Sequence, residues 1–240
     1  ETGYEILFFW VARMIMMTGY NIGTIPFHTI YLHGTVRDAK GRKMSKTLGN
    51  GIDPLDISAK FGADAGRMAL VIGNTPGTDM NISEDKIKGY KNFANKVWNV
   101  SRFILENTKD TKHDENFSTF SEKDSSLIKE QEEIIKDITK DMEDYRFYMA
   151  GEKIYHYIWD NLADVILEES KKIFLFESAS SASNLRESAT LEKESRKQFL
   201  LETLSKILII LHPFMPFLTE EIWQSLSESK SLIMIEKWPV

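Results

Sequence analysis

The sequence predicts a mostly helical protein in which a short α/β part precedes an all-α antiparallel bundle. Three observations predict it. Thr29-Ile30-Tyr31-Leu32-His33 has β-branched and aromatic content between Pro26 and Gly34, which is a strand signature. From Ser83 onward, apolar residues recur at helical spacing in four successive stripes. Helices with one apolar face each bury that face best against one another, as an antiparallel bundle.

Taken in order, Ile6 to Met17 is very apolar and is stopped near Gly19, which predicts a buried helix. It carries Arg13 and is about half of the ~20 residues needed to span a bilayer. No signal-peptide pattern surrounds it. The chain opens at Glu1, without Met, directly before this helix, so it is expected to be the C-terminal part of something longer. The strand follows, then a lysine-rich loop. Asp53-Pro54 reads as an N-cap with proline at the first helical position. Gly62 ends that helix, Asp64 is expected to cap the next one through Ile72, and Asn74-Thr75-Pro76-Gly77 is a turn.

Ser83 is the expected N-cap of the first bundle helix, with Glu84 and Asp85 favourable in its first turn. Its stripe is Ile87, Tyr90, Ala94, Val97, Ser101 and Ile104. A polar linker runs from about Lys109 to Lys123. Leu127, Gln131, Ile134, Ile138 and Met142 predict a second helix, and Phe147, Ala150, Ile154, Ile158, Leu162 and Val165 a third. Ser178 to Ser195 is rich in Ser, Ala and Glu and reads as a flexible connection or a frayed helix end. Phe199, Leu200, Leu204, Ile207, Leu208 and Leu211 form the fourth stripe. It is stopped by Pro213, and Pro216 opens a last short helix through Trp223. No internal repeat is visible.

The 240 residues suffice for at least one good core and for two domains. The absence of cysteine excludes disulfides and thiolate metal sites and fits a reducing compartment, so a cytoplasmic location is expected. His113, His156 and His212 show no metal-ligand spacing. A net charge of -6 argues against a protein that coats nucleic acid nonspecifically, while leaving room for local basic surfaces. One such surface is suggested between Lys86 and Leu105, where Lys86, Lys88, Lys91, Lys96 and Arg102 occur with no acid. A face of that kind suits phosphates, although a solvated helix face has the same composition.

The densest chemical signal is Lys43-Met44-Ser45-Lys46-Thr47 between Gly41 and Gly49. Lysine is a compact, flexible point charge for phosphates. In a nucleotidyl transfer it would stabilise charge growing on the leaving pyrophosphate. In open parallel sheets ligands sit at the C-terminal ends of strands. His33 and Gly34 end the predicted strand, close enough in sequence for the loop to reach a nucleotide there. On residue type alone, an exposed lysine-rich turn is the more common explanation, because most charge clusters are solvated.

The residues around the loop favour the chemical reading. His33 through Asn50, with K-M-S-K-T at its core, resembles the second signature region of class I aminoacyl-tRNA synthetases. Glu1-Thr2-Gly3-Tyr4-Glu5-Ile6-Leu7-Phe8-Phe9-Trp10-Val11-Ala12-Arg13-Met14 looks like the valyl members, as do Asn74 through Asn81 and Asn92 through Asn99. His212 through Trp223 resembles a segment of the helical anticodon-binding domain of that group. The similarity covers nearly the whole chain.

The resemblance implies a partial Rossmann-like half of a catalytic domain over 1–84, carrying the lysine loop and stem-contact helices, and an anticodon-binding bundle over 85–240. It implies that Lys43 and Lys46 hold ATP phosphates, with Ser45 setting the loop conformation. His33 and Gly34 would lie by the adenine, and Glu5, Ile6 and Trp10 would help form the amino-acid pocket, the Glu5 carboxylate suiting the substrate ammonium. The implied partners are valine, ATP with magnesium as its usual phosphate partner, and valine tRNA through its anticodon and stem. No protein-bound metal, no membrane and a monomer are expected. Other readings of single residues stand beside these: Trp10 as core, Glu5 as a first-turn residue favoured by the helix dipole, and His33 as an ordinary strand-end histidine.

Departures from the family pattern are Thr47 for the usual last serine, Glu5 where aspartate is more common, and Gly66 where a larger residue is usual. Gly66 should weaken its helix by about 1 kcal/mol relative to alanine. The family's H-I-G-H signature, editing insertion and C-terminal coiled coil do not occur in these residues. The chain alone is therefore expected to be unable to activate valine, and a stand-alone tRNA-binding helical module is the alternative reading.

Overall fold

The computed structural model describes every residue except 46, 112–113, 115–116, 177–182, 227–230 and 240, and it describes the backbone alone at 176 and 183–188. The first part is built on two short parallel pairings. β1 (Thr2–Gly3) pairs with β2 (Leu32–His33), placing Thr2 opposite Leu32 and Gly3 opposite His33. β3 (Val36–Arg37) pairs with β4 (Met80–Asn81). The predicted strand over 29–33 thus shrinks to Leu32–His33, the residues in register with Thr2 and Gly3, with the Tyr31 carbonyl accepting the Thr2 N–H at 3.0 Å just before them.

Between β1 and β2, a 3₁₀ turn (Tyr4–Ile6) leads into α1 (Leu7–Ile22). The helix passes Gly19 and ends at Gly23, whose φ of 75° suits a left-handed C-cap. The expectation that this helix is buried is not met. Val11 is its one buried residue, and Phe8, Phe9, Trp10, Met16, Met17 and Tyr20 are all exposed. Hydrophobicity makes burial favourable but does not supply a covering element, and among the described residues little beyond the 3₁₀ turn and the 27–30 segment meets it.

α2 (Pro54–Phe61) starts as predicted, with the Asp53 carboxylate accepting the Leu55 N–H at 2.8 Å. α3 (Ala63–Val71) packs tightly on it. A Cβ on Gly66 would lie 2.9 Å from Cγ2 of Ile57, so the glycine that weakens α3 also permits the close approach. Asp64 does not cap its own helix. It is buried and accepts the N–H groups of Leu218 at 2.7 Å and Phe217 at 3.4 Å, capping a helix some 150 residues away.

The bundle comprises α4 (Glu84–Asn107), α5 (Glu122–Glu143), α6 (Phe147–His156), a π-helical stretch (Tyr157–Ile166), α7 (Leu167–Phe176), α8 (Ser183–Leu211) and α9 (Pro216–Leu226). Ser83 caps α4 through the Lys86 N–H. Within the segment read as a flexible connection or frayed end, 183–195 are helical, and 178–182 lie outside the described residues. Polar anchors close this stretch at Ser195 and Arg196. Buried Arg196 donates Nε to Oδ1 of buried Asp124 at 2.6 Å and NH1 to the Ser170 hydroxyl at 3.2 Å, while Ser195 Oγ donates to Asp124 Oδ2 at 2.6 Å.

Two apolar clusters share α3. Ala65 and Ala69 join Met80, Ile82 and Ile87 in a small core that also receives Val36 and Met44. Met68 and Ile72 point into the large bundle core around Phe93, Phe199, Leu204 and Phe214. Arg67 adds hydrogen bonds to the Pro213 and Phe214 carbonyls at 2.8 and 3.2 Å, so α3 ties the α/β part to the end of α8. No helix among the described residues is long and apolar enough to cross a membrane.

Candidate functional site

The lysine loop is a hairpin that organises itself. Asp38 N–H donates to the Arg42 carbonyl at 2.9 Å, Gly41 takes the positive φ of 75° that the turn requires, and Arg37 bridges back to Lys43. The Asp38 carboxylate accepts the N–H groups of Lys40 and Arg42 and the Arg42 guanidinium. Asn50 closes the other side. Its Nδ2 donates to Asp38 Oδ2 at 3.0 Å and to the Lys43 carbonyl at 3.3 Å, and its Oδ1 accepts the Ser45 N–H at 3.0 Å. The Asn50 amide, followed by the Arg42 donors, holds the Asp38 carboxyl well below the usual carboxylate range. Ser45 Oγ accepts the Leu48 N–H at 3.2 Å, and Gly49 follows at φ 61°.

Of the residues expected to act, Lys43 and Glu5 are brought together: Lys43 Nζ forms an ion pair with Glu5 Oε2. Lys46 lies outside the described residues. Ile6 and Trp10 share a cavity of about 440 Å³ with Val11, Met14, Phe27 and Ile30, next to β1. Trp10 is 54% exposed and so is not core. Glu5 does not line that cavity; it turns toward the loop. His33 ends β2, its Nδ1 2.9 Å from the Gly34 carbonyl and its Nε2 3.4 Å from Glu1 Oε1. Gly34 is pressed against the 74–79 turn, and a Cβ there would lie 1.7 Å from the Thr78 carbonyl oxygen. Among the described residues there is no cluster of three side chains suited to a metal.

The basic helix is less free than its composition suggests. Lys86 donates to the Ile72 carbonyl at 2.8 Å, and burial lowers its pKa. Lys96 pairs with Asp164 at 2.8 Å and lies over the Trp159 ring, and Lys91 donates to the Lys60 carbonyl at 3.1 Å. Arg102 sits 3.9 Å from Glu106, while Lys88 is exposed. Three residues that organise the site, Asp38, Asn50 and Asp79, were not singled out in the sequence. Asp38 and Asn50 flank the loop as a turn former and a closing amide, which is a legible signal; Asp79 acts across long separations that spacing does not reveal.

Comparison with known proteins is consistent from end to end. Residues 1–83 match the family model of class I tRNA synthetases (I, L, M and V), and residues 124–240 match the anticodon-binding domain of tRNA ligase. The valine–tRNA ligase of Clostridium tetani is 39% identical over 242 residues, covering 99% of this chain and 26% of its own length. That of Bacillus cereus is 40% identical over 240 residues, and that of Listeria innocua 41%, with the same coverage. The chain spans about a quarter of the length of these relatives. Among solved structures, a ternary complex of Agrobacterium radiobacter K84 LeuRS with tRNA and LeuAMS superposes with a TM-score of 0.73 at 24% identity, over 99% of this chain and 28% of that one. Mycobacterium tuberculosis methionyl-tRNA synthetase bound to methionyl-adenylate gives 0.72 at 20% identity, over 93% and 43%. At these identities the structures share the fold.

Proposed function

We propose that this chain, which matches the class I tRNA synthetase and anticodon-binding family models over 1–83 and 124–240, is the lysine-loop and anticodon-binding segment of an enzyme that joins valine to its tRNA with ATP as co-substrate. The observation that carries this reading is that similarity to valine–tRNA ligases runs unbroken through 99% of the chain, from the amino-acid and lysine-loop residues into the bundle. The division into a catalytic part, 1–84, and an anticodon-binding part, 85–240, belongs to the same proposal.

The reaction begins when the valine carboxylate attacks the α-phosphorus of ATP and pyrophosphate leaves. Charge then grows on the phosphate oxygens, where lysine ammonium groups stabilise it. We assign that work to Lys43 and Lys46, with Ser45 holding the loop turn. His33 and Gly34 are assigned to the adenine side. Ile6 and Trp10 are assigned to the valine side chain, a role that suits the apolar cavity they share. Glu5 is assigned to the valine ammonium. While Glu5 holds Lys43, neither group is free for substrate, so binding entails opening that pair. Magnesium would enter as part of the substrate, bound to the nucleotide phosphates. The valyl group then passes to the 3′ end of the tRNA, which the bundle holds at its anticodon.

The enzyme works in the cytoplasm as a monomer on this reading. By itself the present chain, which contains no H-I-G-H, binds tRNA without forming adenylate. The test is amino-acid-dependent exchange of pyrophosphate into ATP by the full-length protein. Valine should support it, and Lys43→Ala and Lys46→Ala should each slow it strongly while changing valine affinity little. Unchanged exchange in both variants would refute the roles assigned to the loop.

A further inference from the structure

Asp79 has no part in the roles assigned above, yet its carboxylate joins three separate stretches of the site. Oδ1 accepts the Thr35 N–H at 2.7 Å and the Tyr4 hydroxyl at 3.1 Å. Oδ2 accepts Arg37 Nε at 2.6 Å and pairs with Arg37 NH2 at 2.5 Å. The side chain is 18% exposed. Each partner belongs to a stretch that carries a site residue. Tyr4 precedes Glu5 in the same 3₁₀ turn. Thr35 follows the His33–Gly34 strand end. Arg37 closes β3, bridges to Lys43 and donates NH1 to the Gly41 carbonyl inside the lysine loop at 3.1 Å.

The backbone around Asp79 is equally committed. Gly77 N–H donates to the Leu32 carbonyl at 2.9 Å, Met80 N–H to Thr35 at 3.2 Å and Ile82 N–H to Arg37 at 2.9 Å. Gly34 has no room for a Cβ against Thr78. The turn at 74–79 is therefore fixed on the strand ends, and its last residue reaches across to both the loop and the 3₁₀ turn. The Thr35 N–H, and after it the Arg37 guanidinium, hold the Asp79 carboxyl below its ordinary pKa, so it is ionised throughout the neutral range.

We propose that Asp79 is a positioning residue for adenylate formation, fixing the root of the lysine loop relative to Glu5 and to the His33–Gly34 strand end. This rests on the reading of the site as one that activates an amino acid with ATP. Asp79 touches neither substrate in this account. It acts through Arg37, Thr35 and Tyr4, which place groups that do. Misplacement of a reacting group by about 1 Å can cost on the order of a hundredfold in rate. Asparagine has the size of aspartate but no charge, and one of its two terminal atoms is a donor. It cannot accept from Thr35 and Tyr4 on one side and from Arg37 on the other.

The test is pyrophosphate exchange by the full-length protein, with ATP and valine varied separately, alongside tRNA binding and thermal melting. Wild-type protein should show valine-dependent exchange. Asp79→Asn should lower its kcat by roughly tenfold to a hundredfold and raise KM for ATP, with KM for valine and tRNA affinity little changed. Tyr4→Phe, which deletes one exposed hydroxyl, should move the same parameters in the same direction by less. Asp79→Asn combined with Arg37→Gln should lose no more than the larger single change, because both remove one shared contact. Exchange within twofold of wild type for Asp79→Asn would overturn the proposal, as would a loss matched by melting alone with KM for ATP unmoved. If Asp79→Asn does not fold, unchanged kinetics in both Tyr4→Phe and Arg37→Gln overturn it. A wild-type protein without valine-dependent exchange would instead overturn the functional reading on which the proposal rests.

Discussion

Replacing Gly34 by alanine should pull the 74–79 turn off the strand ends. The added Cβ would lie 1.7 Å from the Thr78 oxygen, 2.2 Å from the Thr78 carbonyl carbon and 2.6 Å from the Asp79 nitrogen, where ordinary contact begins at 3.4 Å. Backbone atoms cannot rotate away as a side-chain end can, so the turn must retreat by about 1.7 Å, the gap between those two distances. Such a retreat takes the hydrogen bonds of Gly77 N–H to Leu32 and Met80 N–H to Thr35 beyond bonding range. At about 1 kcal/mol for each net bond, with a further 1–3 kcal/mol of overpacking, the expected cost is roughly 3–5 kcal/mol, confined to the α/β part. Hydrogen exchange reads this locally. Protection of the Gly77, Met80 and Ile82 amides should fall by at least about a hundredfold, at one power of ten per 1.4 kcal/mol. The α8 amides should be unaffected. Protection within threefold of wild type at all three amides would refute the reasoning.

Two further outcomes follow from the same geometry. Asp124→Ala leaves the buried Arg196 guanidinium without its carboxylate. It should therefore lower the unfolding free energy by about 3–5 kcal/mol in urea titration, and a loss below about 1 kcal/mol would contradict the packing described. His212, whose Nδ1 is 2.8 Å from the Thr219 hydroxyl, is pushed below its ordinary pKa of 6.5 by burial, against the opposing pull of Glu220 and Asp64. A depressed folded-state pKa means that the unfolded chain takes up its proton first. The contribution is therefore complete above 6.5 and is lost as pH falls below it. Melting temperatures measured at pH 7 and pH 5 should show a smaller drop for His212→Gln than for the wild type; equal drops would refute the assignment.

What the sequence displayed and what it hid divide along physical lines. Short-range chemistry was visible. Asp53 and Ser83 cap the helices they precede, Gly41 and Gly49 take positive φ on either side of the lysines, and Phe199, Leu200, Leu204, Ile207, Leu208 and Leu211 are all buried. Long-range partners were not visible. Asp64 looks like a local cap but serves α9, because the side-chain geometry that satisfies an N–H carries no record of sequence distance. Residues 183–195 read as a connection or frayed helix end, and the anchors that close this stretch, Ser195 to α5 and the following Arg196 to α5 and α7, are a hydroxyl and a guanidinium that no apolar stripe announces. The apolar run of α1 predicted burial correctly as a preference and wrongly as an outcome, since burial also needs a surface to pack against. At the candidate site, Lys43 and Glu5 were singled out separately and their pairing was not, while Asp79 passed as the end of a turn.

The function proposed for the full-length protein is the loading of valine onto its tRNA. Its most direct test is charging of a valine tRNA transcript by the full-length protein, with valine, isoleucine, leucine and methionine supplied one at a time. ATP-dependent acylation of the 3′ end is expected with valine, and markedly less with the other three. Acylation with a different amino acid, or none with any of them, would contradict it.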